Sequence, residues 1–323
     1  MAREYTDEEI QKALDGCASE PAHIPGTVQP FGAILGVDAS NGIVTHASEN
    51  VVDFLKRSAN DIIGHDLISI IGKDAWHDYA NALSRSQSSS QIITVGKIKV
   101  GKDTLRLATF RSGTHNILEF EPDVIDTSFS SSPIETLSAL FEKIQHCETQ
   151  QELFDTVTRL LKILTGYDRV LLYKFDAYFN GEILSEAKNP DIESFLGLRF
   201  PSYDIPSQAR QIMEKLSTRF IYDVNQIQVP IITQSNNDPA LDLTYAATRG
   251  VSLVHIEYLR NMPVQATCTL TLMVNGKLWG IVSFHHMAPK VPSLYLRQIL
   301  SGFSSMLDLK LSSLIQELSL IHI

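Results

Sequence analysis

The side chains able to do chemistry in this 323-residue chain gather in four places. A thiol, Cys17, stands three residues ahead of Glu20-Pro21-Ala22-His23-Ile24-Pro25-Gly26-Thr27-Val28-Gln29-Pro30-Phe31-Gly32. A carboxyl, Asp204, sits within Phe200-Pro201-Ser202-Tyr203-Asp204-Ile205-Pro206-Ser207-Gln208-Ala209-Arg210. One imidazole lies in Val254-His255-Ile256-Glu257-Tyr258-Leu259-Arg260-Asn261-Met262, and a pair closes Leu278-Trp279-Gly280-Ile281-Val282-Ser283-Phe284-His285-His286. A thiolate is a nucleophile wherever it is accessible and its charge is tolerated, and a Pro- and Gly-rich segment can deliver it to a partner. An imidazole, with an unperturbed pKa of about 6.5, can shuttle a proton. Asp204 with His255 would make an acid/base pair, yet no nucleophile elbow, phosphate loop or metal-ligand spacing accompanies them, which argues against an enzyme. The other two thiols, Cys147 and Cys268, are too scattered for a disulfide framework or zinc site and read as small buried hydrophobes.

The elements that must position these groups are legible from periodicity and turn chemistry. A short amphipathic helix is expected over 8–14, then an extended, irregular stretch over 17–32. Apolar runs at 33–37 and 43–47 flank Asn41-Gly42, a hairpin signal. Helices near 51–55 and 73–83 and strands near 92–100, 104–112 and 115–120 follow, an order that fits an antiparallel sheet flanked by helices. The serine-rich stretch 126–132 is the linker, giving domains over 1–125 and 126–323. In the second, helices at 134–147 and 150–165 lead into strands at 169–175 and 182–187, and a helix at 207–216. A polar excursion over 223–249, a helix at 251–262 and a hairpin around Asn275-Gly276 come next. From Ser293 the chain is helical, with Leu300, Leu307, Leu311, Leu314, Leu318 and Ile321 on one seam. That seam serves either to pair with a helix of a second copy or to cover its own sheet. Its apolar end suggests a longer natural protein.

Composition narrows the function further. A formal net charge of -10, with no basic cluster, disfavours nucleic acid and anionic lipid. No apolar run reaches the roughly 20 residues of a membrane span, and the polar, acidic start is unlike a secretory signal, so a cytoplasmic protein is expected.

The four motifs, in this order, resemble the chromophore-binding region of bacterial phytochromes, and the likeness covers nearly the whole chain. It implies an α+β fold of two domains, PAS and GAF, each an antiparallel sheet flanked by helices. They would be joined by a figure-of-eight knot in which the 17–32 segment threads the 223–249 excursion, and would end in a long C-terminal helix. It also implies the function: a red/far-red photoreceptor holding biliverdin IXα by a thioether to Cys17, with light isomerising the bridge between rings C and D. Phytobilin-binding relatives carry their cysteine just before the helix histidine, a position occupied here by Val254.

The site roles are carried over from that family. The carbonyl of Asp204 and a water on His255 would accept from the pyrrole N–H groups, and His285 would bond the ring D carbonyl. Tyr173, Phe200, Tyr203 and Tyr258 would line the ring D pocket beside Ile205 and Pro206. Arg219, Arg249, Thr267 and Thr269 would hold the propionates. His286 should point to the opposite strand face. A homodimer through the last helix is implied. A histidine kinase would belong to the parent protein, since no kinase motif stands here.

The chain departs from the family pattern where Phe31 replaces a common His, Ala22 a branched residue and Tyr203 a small one. The absence of a third, pocket-sealing domain predicts incomplete photoconversion and raised fluorescence. Two rival readings share much of this: an engineered near-infrared fluorescent derivative, and a PAS-GAF module sensing another small ligand with Cys17 incidental.

Overall fold

The computed structural model describes residues 21–85, 92–124, 131–235 and 238–321, with side chains as far as Glu317. The expected helix over 8–14, Cys17, residues 126–130 of the linker, and the side chains of Leu318 and Ile321 lie outside the described residues. The chain divides into two compact units, whose described parts are Pro21–Val124 with Asn225–His255, and 131–224 with 256–321. Residues Asn225–His255, which follow the expected boundary by a hundred residues, thus pack in the first unit.

In the first unit, strands β1 (Thr27–Val28), β2 (Ala33–Asp38) and β3 (Val44–Ser48) precede four helices. These are α1 (Val51–Leu55), α2 (Ala59–Ile62), α3 (Leu67–Ile71) and α4 (Lys73–Arg85). Strands β4 (Ile93–Val100), β5 (Asp103–Ser112) and β6 (His115–Pro122) complete the continuous part. Gly42, at φ 76°, supplies the left-handed residue of the β2–β3 turn. Ala33, Leu35, Val44, Leu107, Leu118 and Phe120 form the apolar core beneath the helices. The strand order is β1-β11-β3-β2-β6-β5-β4, where β11 (Val229–Thr233) comes from the distant excursion. Strands β1 and β11 were not expected from the sequence because both sit in stretches rich in turn-forming and polar residues; their partners, not their patterns, make them strands. Nor were α2 and α3, each a single turn set by a cap: Ser58 accepts from Asp61 N and Asp66 from Ile68 N.

In the second unit, α5 (Pro133–Gln145) starts at a capping box: Ser132 accepts from Glu135 N, and Glu135 accepts from Ser132 N. Helix α6 (Gln150–Thr165) is capped by Thr149 and stops at the left-handed Gly166. Strands β7 (Arg169–Phe175), β8 (Gly181–Lys188) and β9 (Arg199–Phe200) lead to α7 (Ser207–Met213) and β10 (Thr218–Ile221). Helix α8 (Leu253–Asn261), hairpin β12 (Ala266–Val274) and β13 (Lys277–His286), and α9 (Leu294–Ile321) finish the chain. The hairpin turns on Asn275 and Gly276 at φ 51° and 74°, as that dipeptide predicts.

The six strands of this unit are ordered β10-β12-β13-β7-β8-β9. One face is closed by helices: Leu153, Val157 and Leu161 of α6 and Leu300, Leu307, Leu311 and Leu314 of α9 are all buried. The leucine seam of the last helix therefore covers its own unit at these four positions, and of the two readings the sequence allowed for them, the inward one holds. Cys268 and Cys147 are buried and unpaired in this unit, as expected. Among the described residues no helix is long and apolar enough to cross a membrane.

Candidate functional site

The open question in the second unit is its other sheet face, and strand register decides what stands there. Directly opposed residues of antiparallel strands share a face. One cross-strand row runs Arg219, Thr269, Ser283, Leu171 and Glu186, and the next Ile221, Thr267, His285 and Arg169. A third joins Thr271, Ile281, Tyr173 and Ile183. Four strands, β10, β12, β13 and β7, thus deliver Arg219, Thr267, Thr269, His285 and Tyr173 to one surface. Phe195, Phe200, Ile205 and Met213 pack against its apolar end.

His286 is on the opposite face, as the alternation predicts: its Nδ1 lies 2.7 Å from Asp168 Oδ2 and its ring packs on Tyr167. His285, by contrast, is buried on the polar rows, with Nδ1 3.4 Å from Arg169 Nη1 and Nε2 3.2 Å from Ser283 Oγ.

Tyr173 is the most informative residue. Its ring is buried, and its hydroxyl has no hydrogen-bond partner among the described residues. Burial, with Tyr258, Asp204 and Asp176 nearby, raises its pKa well beyond the ordinary phenol range, so it stays a neutral donor. Gly181 makes room for it: a Cβ there would fall 1.6 Å from Tyr173 Cζ, so only glycine fits under this ring. A buried hydroxyl without a partner costs about 1–3 kcal/mol. Such a vacancy in hydrogen bonding, on a face that mixes aromatic rings with threonine, histidine and arginine, fits a flat ligand with polar edges.

Asp204 projects from the loop between β9 and α7. Arg210 holds that loop by donating from Nη1 to the carbonyls of Ser202, at 3.2 Å, and Ile205, while its guanidinium lies 4.2 Å from the Phe179 ring centroid. Asn180 Oδ1 accepts from Ser202 N at 3.1 Å. The Asp204 carboxylate accepts from the Tyr258 hydroxyl of α8; burial pushes the carboxyl pKa up and that bond pulls it down. The same surroundings push Tyr258 up to about 12. Asp204, Ile205, Phe200, Tyr173 and Tyr258 are thereby brought together. Tyr203 is not drawn in: it is 77% exposed, while Asp204 and Ile205, which follow it, turn toward the unit. His255 lies on α8 one turn ahead of Tyr258, and its side chain is exposed.

Arg249 belongs to the first unit. It is buried there and donates from Nη1 to Thr244 O at 3.0 Å; burial lowers its pKa to about 10. Sequence reasoning did not single out Arg169, Gly181, Phe195 or Arg210. Arg169 and Gly181 look like ordinary strand residues, and only register and the space under the Tyr173 ring disclose their roles. No group of three or more His, Cys, Asp or Glu side chains is placed to hold a metal ion among the described residues.

Known proteins resemble the chain in both units. Residues 17–123 match the family model for a PAS fold and residues 149–308 that for a GAF domain. Cyanobacterial phytochrome B of Nostoc is 31% identical over 311 residues, covering 94% of this chain and 41% of the relative. A bacteriophytochrome of Pseudomonas aeruginosa is 33% identical over 294 residues, covering 90% and 40%. The chain thus spans about two fifths of the length of these relatives. The solved chromophore-binding domain of Stigmatella aurantiaca phytochrome P1 superposes with a TM-score of 0.81 at 29% identity, covering 92% of this chain and 98% of that one. The match to a Stigmatella aurantiaca phytochrome photosensory core module, at 29% identity and a TM-score of 0.80, covers 98% of this chain and 61% of that one.

Proposed function

We propose that this chain, which belongs to the bacteriophytochromes and carries their PAS and GAF domains, is the chromophore-binding part of a red/far-red photoreceptor that holds biliverdin IXα. The observation that carries the reading is the polar sheet face whose buried Tyr173 hydroxyl lacks a partner among the described residues. When bound, the bilin supplies light absorption and a double bond that turns in the excited state. The protein's own residues have the remaining tasks.

Cys17 tethers the pigment by adding its thiol across the side-chain double bond of ring A, sulfur to carbon and proton to the neighbouring carbon. Arg219, Thr267 and Thr269 bind carboxylates at the rim of the face, since a guanidinium and hydroxyls make strong charge-assisted hydrogen bonds to propionates. Arg249, committed to Thr244 within the first unit, supports that role less. The Asp204 carbonyl and a water held by His255 accept hydrogen bonds from the pyrrole N–H groups; Tyr258 steadies the Asp204 side chain. Tyr173, Phe200, Ile205 and Pro206 form the wall around the turning ring, and His285 donates to its carbonyl. Tyr203, being exposed, answers to the surface rather than to that wall. The knot of the family is supported by two ties of the 21–32 segment to the excursion: β1 pairs with β11, and Gln29 bonds 247–249. A cytoplasmic location and a homodimer through the outer side of α9, where Leu309 is 75% exposed, complete the proposal.

Cys17→Ser tests the tether directly. Wild-type pigment should migrate with protein in a denaturing gel, and the variant should lose all of that signal while remaining coloured in native buffer. Pigment still attached in the variant would refute the linkage.

A further inference from the structure

The surroundings of His285 contain more than a histidine beside a ligand site. Arg169 is 2% exposed in its side chain and is held from three directions. Its Nε lies 3.4 Å from Glu186 Oε1, an ion pair between two buried groups. Its Nη2 donates to the Glu193 carbonyl, and its guanidinium stacks 3.9 Å from the Phe195 ring centroid. Glu186 is itself pinned, accepting from Phe195 N at 3.0 Å and from the Ser194 hydroxyl. A long side chain fixed in this way has little rotamer freedom left, and its remaining donor, Nη1, faces His285 Nδ1 at 3.4 Å.

A guanidinium has five N–H donors and no acceptor, and it does not deprotonate in proteins. The Nδ1 atom facing it must therefore accept. A neutral imidazole has one N–H, so the proton then resides on Nε2, the atom directed toward Ser283 Oγ and the open rows. We propose that Arg169 is a positioning residue: braced by Glu186 and Phe195, it fixes His285 as the neutral Nε2–H tautomer and so presents a hydrogen-bond donor to a carbonyl-bearing ligand on this face. The Arg169–Glu186 pair is then a tautomer lock as well as a staple for the 193–195 loop. The proposal rests on the bilin reading only for the identity of that carbonyl.

The apoprotein tests it without pigment. With 15N-labelled histidine, the His285 signals are identified by their absence in His285→Gln. Wild type should show a protonated Nε2 and a bare Nδ1. In the paired variant R169M/E186Q, which removes both buried charges together, that single signature should be lost to a mixture of tautomers. A wild-type His285 carrying its proton on Nδ1 overturns the proposal, and this measurement does not require R169M/E186Q to fold. So does an unchanged tautomer in the paired variant.

A second readout uses the biliverdin-loaded chain. R169M/E186Q should move the red absorption band in the wild-type background and leave it unmoved in H285Q, because the effect passes through the imidazole. An equal shift in both backgrounds would make Arg169 a structural residue only and overturn the proposal. A chain that never colours would sink the bilin reading, with the apoprotein tautomer still deciding this one.

Discussion

Two buried polar clusters, one in each unit, are completed in opposite ways. In the first, Gln29 and Glu119 lie in the interior, yet each is met by partners. Gln29 N donates to Thr248 O at 2.6 Å, its Nε2 to Arg249 O at 3.2 Å, and its Oε1 accepts from Gln226 at 3.1 Å. Glu119 accepts from Ala247 N at 3.2 Å, Thr248 N at 2.7 Å and the Thr248 hydroxyl at 2.5 Å. In the second, Tyr173 is equally buried and its hydroxyl meets no one among the described residues. The first arrangement is complete as protein and ties the excursion to its sheet. The second leaves a donor on a face lined with histidine, threonine and arginine, and it is that setting, which the Tyr167 hydroxyl on the opposite face, likewise unpartnered among the described residues, lacks, that suits a ligand.

The largest expected effect lies in the completed cluster. Glu119→Ala removes the acceptor from three donors at once and should cost about 3 kcal/mol or more, read as a lower midpoint in urea unfolding monitored on the first unit. A loss near zero would mean that water substitutes freely there and would weaken the contrast. In the other unit the sign reverses. Tyr173→Phe deletes the unpartnered hydroxyl and should leave the pigment-free chain as stable or more stable, by about 1 kcal/mol, while the biliverdin-loaded form changes its absorption. A clear loss of apoprotein stability would show that the hydroxyl is satisfied and the face is not unfinished.

The smallest effect is in pH dependence. Burial and the charge of Glu121 push the Glu119 carboxyl up from 4.5 to about 7, against the pull of its three donors. Folding then favours the protonated form. Its stabilising contribution is fully present below about pH 4.5, declines as pH rises through about 7, and is level beyond. Glu119→Gln keeps a neutral side chain at every pH, and unfolding midpoints measured across that window should lose this slope; an unaltered slope would assign it to other groups.

The same contrast explains what the sequence disclosed. Asn275-Gly276, the α6 periodicity and the order of the four motifs depend on local chemistry, so they could be read directly. The opposite facings of His285 and His286 followed from strand alternation once the hairpin was placed, whereas Thr267 and Thr269 came from the family resemblance alone. What stayed hidden depends on distant partners. Val229–Thr233 becomes a strand only because β1 and β3 receive it. Gly181 matters because Tyr173, eight residues earlier on the neighbouring strand, lies over it, and Arg169 because Glu186, Phe195 and His285 converge on it. The leucine seam of α9 was ambiguous for a related reason, since periodicity marks an apolar face without saying what covers it.

The central claim, that the unfinished sheet face takes a linear tetrapyrrole, is tested most directly by an absorption spectrum of the purified chain mixed with biliverdin. The account predicts a sharp, intense red band that grows with time and changes reversibly under red light. A mixture whose spectrum remains that of free pigment would contradict it.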